Sequence, residues 1–133
     1  NMILSGIFDR CPNLKIVSVE SGIGWIPFVL ESLDYEWGET GAQLEMPLQK
    51  KPSEYFRDHF WGCFWFEKIA PKHLIDIVGE DNILFETDFP HPTCLYPHVQ
   101  EYIEEISADW TDTQKRKILQ DNAAQLYKID LPS

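Results

Sequence analysis

Asp88 and His91 are the residues of this sequence whose types and spacing best suit chemistry. The stretch ILFETDFPHP, residues 83–92, passes from apolar residues through an acid and a threonine to Asp88, and then turns through two prolines. Because proline cannot continue a helix or a central strand, Asp88 is predicted to lie where a strand ends and a rigid loop begins. A carboxylate at such a point, with a histidine three residues later, can bind a metal ion or move a proton.

Two further acids follow predicted strands. Glu20 ends the apolar run KIVSV, and Glu67 ends the run CFWF. Since the carboxyl ends of parallel strands share one edge, we expect Glu20, Glu67 and Asp88 to lie on one rim, where α/β proteins bind ligands. An acid can also start the turn into a helix, where the helix dipole stabilises it. We favour that structural role for Glu67 and a chemical one for Asp88, because no helix begins directly after Asp88.

The glycine turn ESGIGW, residues 20–25, follows a strand and opens a helix, as a phosphate-binding loop does. Pro27 stands where such a loop has its third glycine, and the leading glutamate would repel a phosphate, so nucleotide binding is not expected. Gly22 and Gly24 are instead expected to permit a tight turn or a close approach of backbone. Trp25, at the mouth of the turn, and Gly22 are the predicted substrate-binding residues.

The other histidines and the cysteines do not indicate a metal site by their spacing. The sequence has no HxH, HExxH or CxxC pattern, and its three cysteines are far apart, so neither a zinc cluster nor a disulfide framework is expected. His59 is predicted to be structural, His73 to lie at the surface, and His98 to cap a helix or lie at the surface. Free cysteines are typical of a reducing compartment, and we predict the cytoplasm.

The composition narrows the class of protein. The chain has 133 residues, of which 44% are hydrophobic, enough for one ordered domain. A formal net charge of −11 argues against nucleic acid or an anionic membrane as a partner. No apolar run approaches the roughly 20 residues that span a bilayer, and the N-terminus lacks a signal-peptide pattern.

Strands and helices alternate along the chain. Strands are predicted at 15–19, 60–66 and 82–87, helices at 2–10, 25–35, 71–78, 96–106 and 111–128, and a long loop at 37–54. This order predicts an α/β fold with a parallel sheet and right-handed crossovers. Thr111 and Gln114 form a predicted capping box at the start of the last helix.

Four segments resemble the C-terminal part of the amidohydrolase-2 family. In order they read GIFDRCPNLKIVSVESGIGWIPFVLESLD, YFRDHFWGCFWFE, NILFETDFPHP and KRKILQDNAAQLYKI. The family comprises TIM-barrel metal-dependent hydrolases and decarboxylases, related to aminocarboxymuconate semialdehyde decarboxylase. The resemblance implies that residues 1–133 are a single partial domain, which supplies the last three βα units of a (β/α)8 barrel.

The resemblance also implies roles for the candidate residues. Asp88 matches the aspartate after the eighth strand, which ligates the metal or lies beside it. The family's decarboxylases usually carry a catalytic histidine after the sixth strand, and this sequence departs from that pattern, since the position reads Glu20-Ser21. The departure argues against decarboxylation, although a glutamate could act as acid or base there. Glu20 and His91 are expected to line the substrate side. The remaining metal ligands, an HxH pair after the first strand and a histidine after the fifth, would precede residue 1.

The prediction is therefore a metal-dependent hydrolase that uses a divalent metal, expected to be zinc, on a small carboxylated or carbonyl substrate. A decarboxylase is the alternative within the family, and a non-catalytic, self-associating α/β fragment is the alternative outside it. This chain alone is expected to be inactive and to hold no tightly bound metal. Because its strand edges are open and its inner face lacks the rest of the barrel, it is also expected to form a closed homo-oligomer, most simply a two-fold dimer joined through the would-be barrel face. An upstream HxH motif would favour the enzyme.

Overall fold

The computed structural model describes residues 1–41, 44 and 48–131. Within them, three parallel strands form one sheet in the order β1-β2-β3. The strands are β1 (Ile16–Ser18), β2 (Phe60–Phe64) and β3 (Ile83–Phe85). Each strand is shorter than its apolar run, but their order and parallel pairing confirm the predicted α/β architecture.

Helices connect the strands and cover the sheet. They are α1 (Ile7–Arg10), α2 (Ile26–Glu39), α3 (Pro52–His59), α4 (Ile69–His73), α5 (Ile75–Val78), α6 (Val99–Ile106), α7 (Asp112–Arg116) and α8 (Asn122–Tyr127). One π-helical turn joins α7 to α8, and two 3-10 turns precede α1 and β3. In the described part of the chain, no helix is both long and apolar enough to cross a membrane.

The prediction of a loop at 37–54 is wrong at both ends. Helix α2 continues to Glu39, and α3 begins at Pro52. Proline suits the first turn of a helix, because its missing N–H would have no partner there. The side chain of Glu54 also accepts a hydrogen bond from Lys51 N at 2.9 Å, as at a capped helix start. The middle of the predicted loop, residues 42, 43 and 45–47, lies outside the described residues.

Two predicted helices are interrupted, and the last one starts as expected. The helix predicted at 2–10 breaks at Gly6, which has a φ of +67°. The helix predicted at 71–78 is split at Leu74 between α4 and α5. At Thr111, the side-chain oxygen accepts a hydrogen bond from Gln114 N at 3.1 Å, so the predicted capping box is confirmed.

The hydrophobic core lies between one face of the sheet and the helices. Phe64 and Ile83 are fully buried, together with Ile26 of α2 and Ile106 of α6. Because side chains alternate along a strand, Phe64 and Ile83 share the helix-facing side of the sheet. The opposite side carries the neighbouring residues of β2 and β3, starting with the buried Leu84. That opposite side is the one that would face the interior of a complete barrel.

Helix α2 packs so closely on the sheet that β2 requires a glycine at 62. A Cβ at Gly62 would lie 2.8 Å from Ile26 Cδ1 and 3.1 Å from Ile23 Cγ2. Both isoleucines are completely buried, at 0% exposure, so neither can move into solvent. Gly62 therefore sets the distance between α2 and the sheet, and with it the position of the glycine turn that precedes α2.

Two buried asparagines fix the opposite end of the sheet. Asn122 Nδ2 donates to Glu80 O at 2.7 Å and to Ile83 O at 2.9 Å, which ties the C-terminal helix to the start of β3. Asn82 Nδ2 donates to Arg57 O at 2.9 Å and to the carbonyl of residue 60 at 2.8 Å. A neutral amide can satisfy two carbonyls at once without the cost of burying a charge.

The replacement Gly62→Ala tests the spacing between α2 and the sheet. We expect it to lower the free energy of unfolding by about 1–3 kcal/mol, because the added methyl overpacks a full core. Gly38→Ala is the matched control, since a Cβ at Gly38 of α2 meets no atom within 4 Å; alanine there should be neutral or stabilising by up to about 1 kcal/mol. Urea unfolding of the three proteins measures both. Equal midpoints for Gly62→Ala and the parent protein would contradict the argument.

The open edges of the sheet lead to a prediction about assembly. In the described residues, β1 and β3 each pair with β2 on one side only. Unpaired strand edges are templates for association, so we expect this 133-residue chain, expressed alone, to form a closed homo-oligomer, most simply a two-fold dimer. Light scattering over a dilution series measures the mass. A stable monomer at micromolar concentration would show that the edges are protected in another way.

Candidate functional site

The carboxyl ends of the three strands carry an acidic rim, which we define as Glu20, Glu86 and Asp88. Glu20 follows β1, and Glu86 and Asp88 follow β3. Glu20 N donates a hydrogen bond to Glu86 Oε1 at 2.8 Å, and Glu86 N donates to Phe64 O of β2 at 3.0 Å. The rim is therefore tied to all three strands. Of the three acids predicted to share this edge, Glu20 and Asp88 lie close enough to Glu86 for their charges to act on it, whereas the carboxylate of Glu67 accepts hydrogen bonds from the glycine turn that follows β1.

Glu86 is the rim residue that the sequence analysis missed. Burial raises the pKa of Glu86; the hydrogen bond from Glu20 N opposes this rise, and the charges of Glu20 and Asp88 add to it. The same carboxylate acts on Cys63, whose pKa is raised to about 12, first by burial and then by Glu86. The signal that could have found Glu86 is alternation, because it lies two residues after Leu84 and so shares its side of the sheet.

Asp88 is nearly buried and is paired with His91. Its backbone has a φ of +60°, in the left-handed region. Only 6% of its side chain is exposed, whereas 60% of the His91 side chain is exposed, and Asp88 Oδ2 lies 3.1 Å from His91 Nδ1. Thr93 Oγ1 lies 2.9 Å from the same ring nitrogen. With Nδ1 held in this way, Nε2 is the ring nitrogen left to meet a substrate or a water molecule.

The loop after Asp88 forms an apolar surface next to the rim. The rings of Phe89 and Tyr96 pack edge to face, with centroids 5.5 Å apart. Together with Thr87 and Val99 they line a cavity of about 360 Å³. Leu95 N donates to Thr87 O at 3.0 Å, which closes the loop back onto the end of β3. A cavity of this size can accept one small aromatic molecule.

The glycine turn is tight, as predicted. Gly22 has a φ of +68° and is buried, and Trp25 Nε1 donates to Gly22 O at 2.9 Å. The space that a Cβ of Gly22 or Gly24 would take is occupied by the carboxylate of Glu67, which confirms a close approach at both glycines. Trp25 is 39% exposed at the mouth of the turn. Contact of Trp25 or Gly22 with a substrate stays a prediction.

The histidines away from Asp88 have structural or surface positions, as predicted. His59 is 5% exposed, its Nδ1 lies 2.9 Å from Leu14 O, and its ring stacks on Phe8 with centroids 4.5 Å apart. His73 and His98 are both exposed.

The rim offers one suitable ligand for a divalent metal ion. Asp88 offers a nearly buried carboxylate, and the negative charges of Glu20 and Glu86 beside it favour a cation. Across residues 1–41, 44 and 48–131, however, no group of three or more His, Cys, Asp or Glu side chains could hold a metal ion. The described residues could therefore supply part of the ligand set of a metal site, but they do not supply all of it.

Comparison with known proteins shows the same family along almost the whole chain. A family model described as amidohydrolase matches residues 1–129. The chain is 27% identical to 2-amino-3-carboxymuconate-6-semialdehyde decarboxylase of Dictyostelium discoideum, over 98% of this chain and 35% of that protein. It is 30% identical to gamma-resorcylate decarboxylase of a Polaromonas strain, over 95% of this chain and 38% of that protein. The chain thus spans little more than a third of these relatives.

Solved structures agree with the fold. The 5-carboxyvanillate decarboxylase of Sphingomonas paucimobilis superposes with a TM-score of 0.79 at 33% identity, over 97% of this chain and 38% of that one. A dihydroxybenzoic acid decarboxylase of Polaromonas was solved with manganese and the inhibitor 2-nitroresorcinol. It superposes with a TM-score of 0.75 at 25% identity, over 96% of this chain and 38% of that one. These findings support a divalent metal in such proteins, whereas the expected zinc is not confirmed.

With its family model, its relatives and its parallel strands in agreement, the chain belongs to the amidohydrolase-2 family and folds as the last three βα units of that family's TIM barrel.

Proposed function

We propose that the complete protein is a metal-dependent decarboxylase that releases CO2 from a small aromatic or unsaturated carboxylate. The observation that carries the proposal is the Asp88–His91 pair at the end of β3, in a chain whose named relatives are decarboxylases. Decarboxylation, first considered as the alternative, is better supported than hydrolysis.

The charge of the rim explains why a cation belongs in the complete site. A carboxylate substrate would approach the negative charges of Glu20, Glu86 and Asp88, and two like charges about 4 Å apart repel by roughly 4 kcal/mol at an effective dielectric constant near 20. A divalent metal, when bound, supplies positive charge that offsets this repulsion and polarises substrate oxygens. We propose Asp88, whose carboxylate is nearly buried on the rim, as one of its ligands.

We propose that His91 delivers the proton that decarboxylation requires. As the bond to the carboxyl carbon breaks, CO2 leaves and the electron pair stays on the substrate carbon, which must then take up a proton. The imidazolium of His91, held at Nδ1 by Asp88 and Thr93, can give that proton from Nε2. Glu20, exposed on the same rim, is the second candidate for this role.

The apolar surface next to the rim fits the proposed class of substrate. Phe89 and Tyr96 expose 64% and 67% of their area beside the cavity that they line. Aromatic side chains bind planar rings through stacked or edge-to-face contacts, with little loss of conformational freedom. We propose that this surface holds the ring or the conjugated chain of the substrate while its carboxyl group is directed to the rim.

Hydrolysis is the second candidate, favoured by the description of the matching family model as amidohydrolase. In that reaction the Asp88–His91 pair would take a proton from water instead of giving one to carbon. Product analysis separates the two functions. The complete protein, incubated with manganese and the carboxylated compounds named for its relatives, is expected to release CO2 from at least one of them. Cleavage of amides or lactones without any CO2 release would favour the hydrolase.

Replacing Asp88 by asparagine tests the central residue. In the complete protein, Asp88→Asn is expected to reduce kcat by about two orders of magnitude or more, since acid–base and metal-positioning groups contribute on that scale. The melting temperature should change little, because asparagine has the same shape and also tolerates positive φ. Asp109→Asn, at an exposed acid after α6, is the matched control and should keep full activity. Near-normal turnover by Asp88→Asn would refute the role.

The metal content of this chain alone is a separate prediction. Tight sites for such metals use three or more protein ligands, and the described residues offer one nearly buried carboxylate at the rim. We therefore expect elemental analysis of the untagged 133-residue chain, after dialysis, to find much less than one metal ion per chain. One tightly held ion per chain that is lost in Asp88→Asn would show that this part of the protein binds metal unaided.

A further inference from the structure

The glycine turn binds an anion, and that anion is a carboxylate of the chain itself. Glu67 Oε2 accepts a hydrogen bond from Ile23 N at 2.7 Å, and Glu67 Oε1 accepts one from Gly24 N at 3.0 Å. Successive backbone N–H groups that converge in this way form an anion-binding concavity. The turn has the backbone chemistry of a phosphate loop, but a side chain that lies 43 residues beyond Gly24 occupies it.

The contact requires a glycine at 22 and leaves little room for a side chain at 24. A Cβ at Gly22 would lie 2.8 Å from the carboxylate carbon of Glu67, and a Cβ at Gly24 would lie 3.0 Å from Glu67 Oε1. Gly22 also has a positive φ, which residues that carry a Cβ rarely adopt. The turn is thus shaped around one carboxylate, and a helix-starting acid alone would not require these glycines.

Glu67 is itself held firmly at the end of β2. The hydroxyl of the buried Tyr102 donates to the backbone oxygen of Glu67. Burial, and after it the negative charge of Glu67, raises the pKa of that hydroxyl well above its ordinary value. Since both the backbone and the side chain of Glu67 have defined partners, the carboxylate is a fixed point against which the turn is placed.

The residues at the two ends of the turn depend on its position. Glu20 enters the turn with a φ of +52° and donates its N–H to Glu86 of the rim. Trp25 leaves the turn and donates its indole N–H to Gly22 O. A shift of the turn away from Glu67 would therefore move a rim carboxylate and a partly exposed aromatic ring together.

We propose that Glu67 is a positioning residue, whose carboxylate fills the N–H concavity of the glycine turn and so fixes Glu20 and Trp25 for the reaction. This inference rests on the proposed decarboxylase function for its kinetic consequence, but not for its structural one. Glu67 touches neither substrate nor metal in this role. The glycines and Glu67, which lie in two different loops, then have one common function, which is to hold the glycine turn in place.

Removal of the carboxylate and its replacement by a free anion is the test. In the complete protein, Glu67→Ala leaves the N–H groups of Ile23 and Gly24 without an acceptor and opens a space of carboxylate size. We expect kcat/KM to fall by about tenfold or more, as small displacements near the chemistry do. Added acetate should restore part of the loss in a saturable manner. Acetamide, of similar shape but neutral, should restore much less.

Three controls make the result specific. The parent enzyme with the same acetate concentrations corrects for inhibition by a carboxylate at the active site. Glu104→Ala, at an exposed position of α6, should have parental kinetics with or without acetate. Glu67→Gln covers the case in which the alanine variant folds poorly, because it keeps the volume. Its amide places an N–H group against a backbone N–H, so activity should fall without rescue by acetate.

Hydrogen exchange gives a readout that is independent of any activity. The peptide that contains residues 19–30 should exchange faster in Glu67→Ala than in the parent, and acetate should slow it again, whereas the peptide around Gly62 should be unchanged. Unaltered exchange at 19–30 would overturn the contact. Faster exchange with parental kcat/KM would overturn the positioning role. Failure to find any decarboxylation would refute the proposed function, while the exchange result would still decide the contact.

Discussion

Like charges gathered at one edge of a sheet are the constraint on which this structure depends. Parallel pairing brings the ends of β1, β2 and β3 together, and Glu20, Glu67, Glu86 and Asp88 follow those ends. Each carboxylate has a different environment. Glu67 accepts hydrogen bonds from two backbone N–H groups, and Glu86 accepts one and has a raised pKa. Asp88 is paired with a histidine, and Glu20 faces solvent. The differences separate a structural carboxylate from those that are available for chemistry.

The two ends of the sheet use different polar chemistry. At the carboxyl ends of the strands the polar groups are acidic, and burial together with the charges of Glu20 and Asp88 raises the pKa of Glu86. At the opposite end, Asn82 and Asn122 are buried neutral amides that donate hydrogen bonds to backbone carbonyls. Buried amides that join backbone to backbone contribute to stability and cannot move a proton at neutral pH. This division agrees with the general rule that barrels carry chemistry at the carboxyl end of the strands and stability at the other.

The sequence predicted the parts of the site that depend on local rules. A strand that ends at an acid before prolines located Asp88, and the shared edge of parallel strands located Glu20 beside it. Helix α3 was missed because a proline was taken as a sign of a loop, although it also suits the first turn of a helix. Glu86 was missed because β3 was extended to residue 87, so that an acid of the rim was counted within the strand.

The contact between Glu67 and the glycine turn could not be predicted, because its two halves are more than 40 residues apart in the chain. A glycine turn after a strand indicates a place for an anion, but local sequence does not tell whether that anion is a ligand or a side chain. The decision depends on the packing of α2 on Gly62, which sets where the turn lies relative to the end of β2. An internal carboxylate has no translational entropy to lose, so it outcompetes a free anion at this turn, and the turn serves the rim as a support.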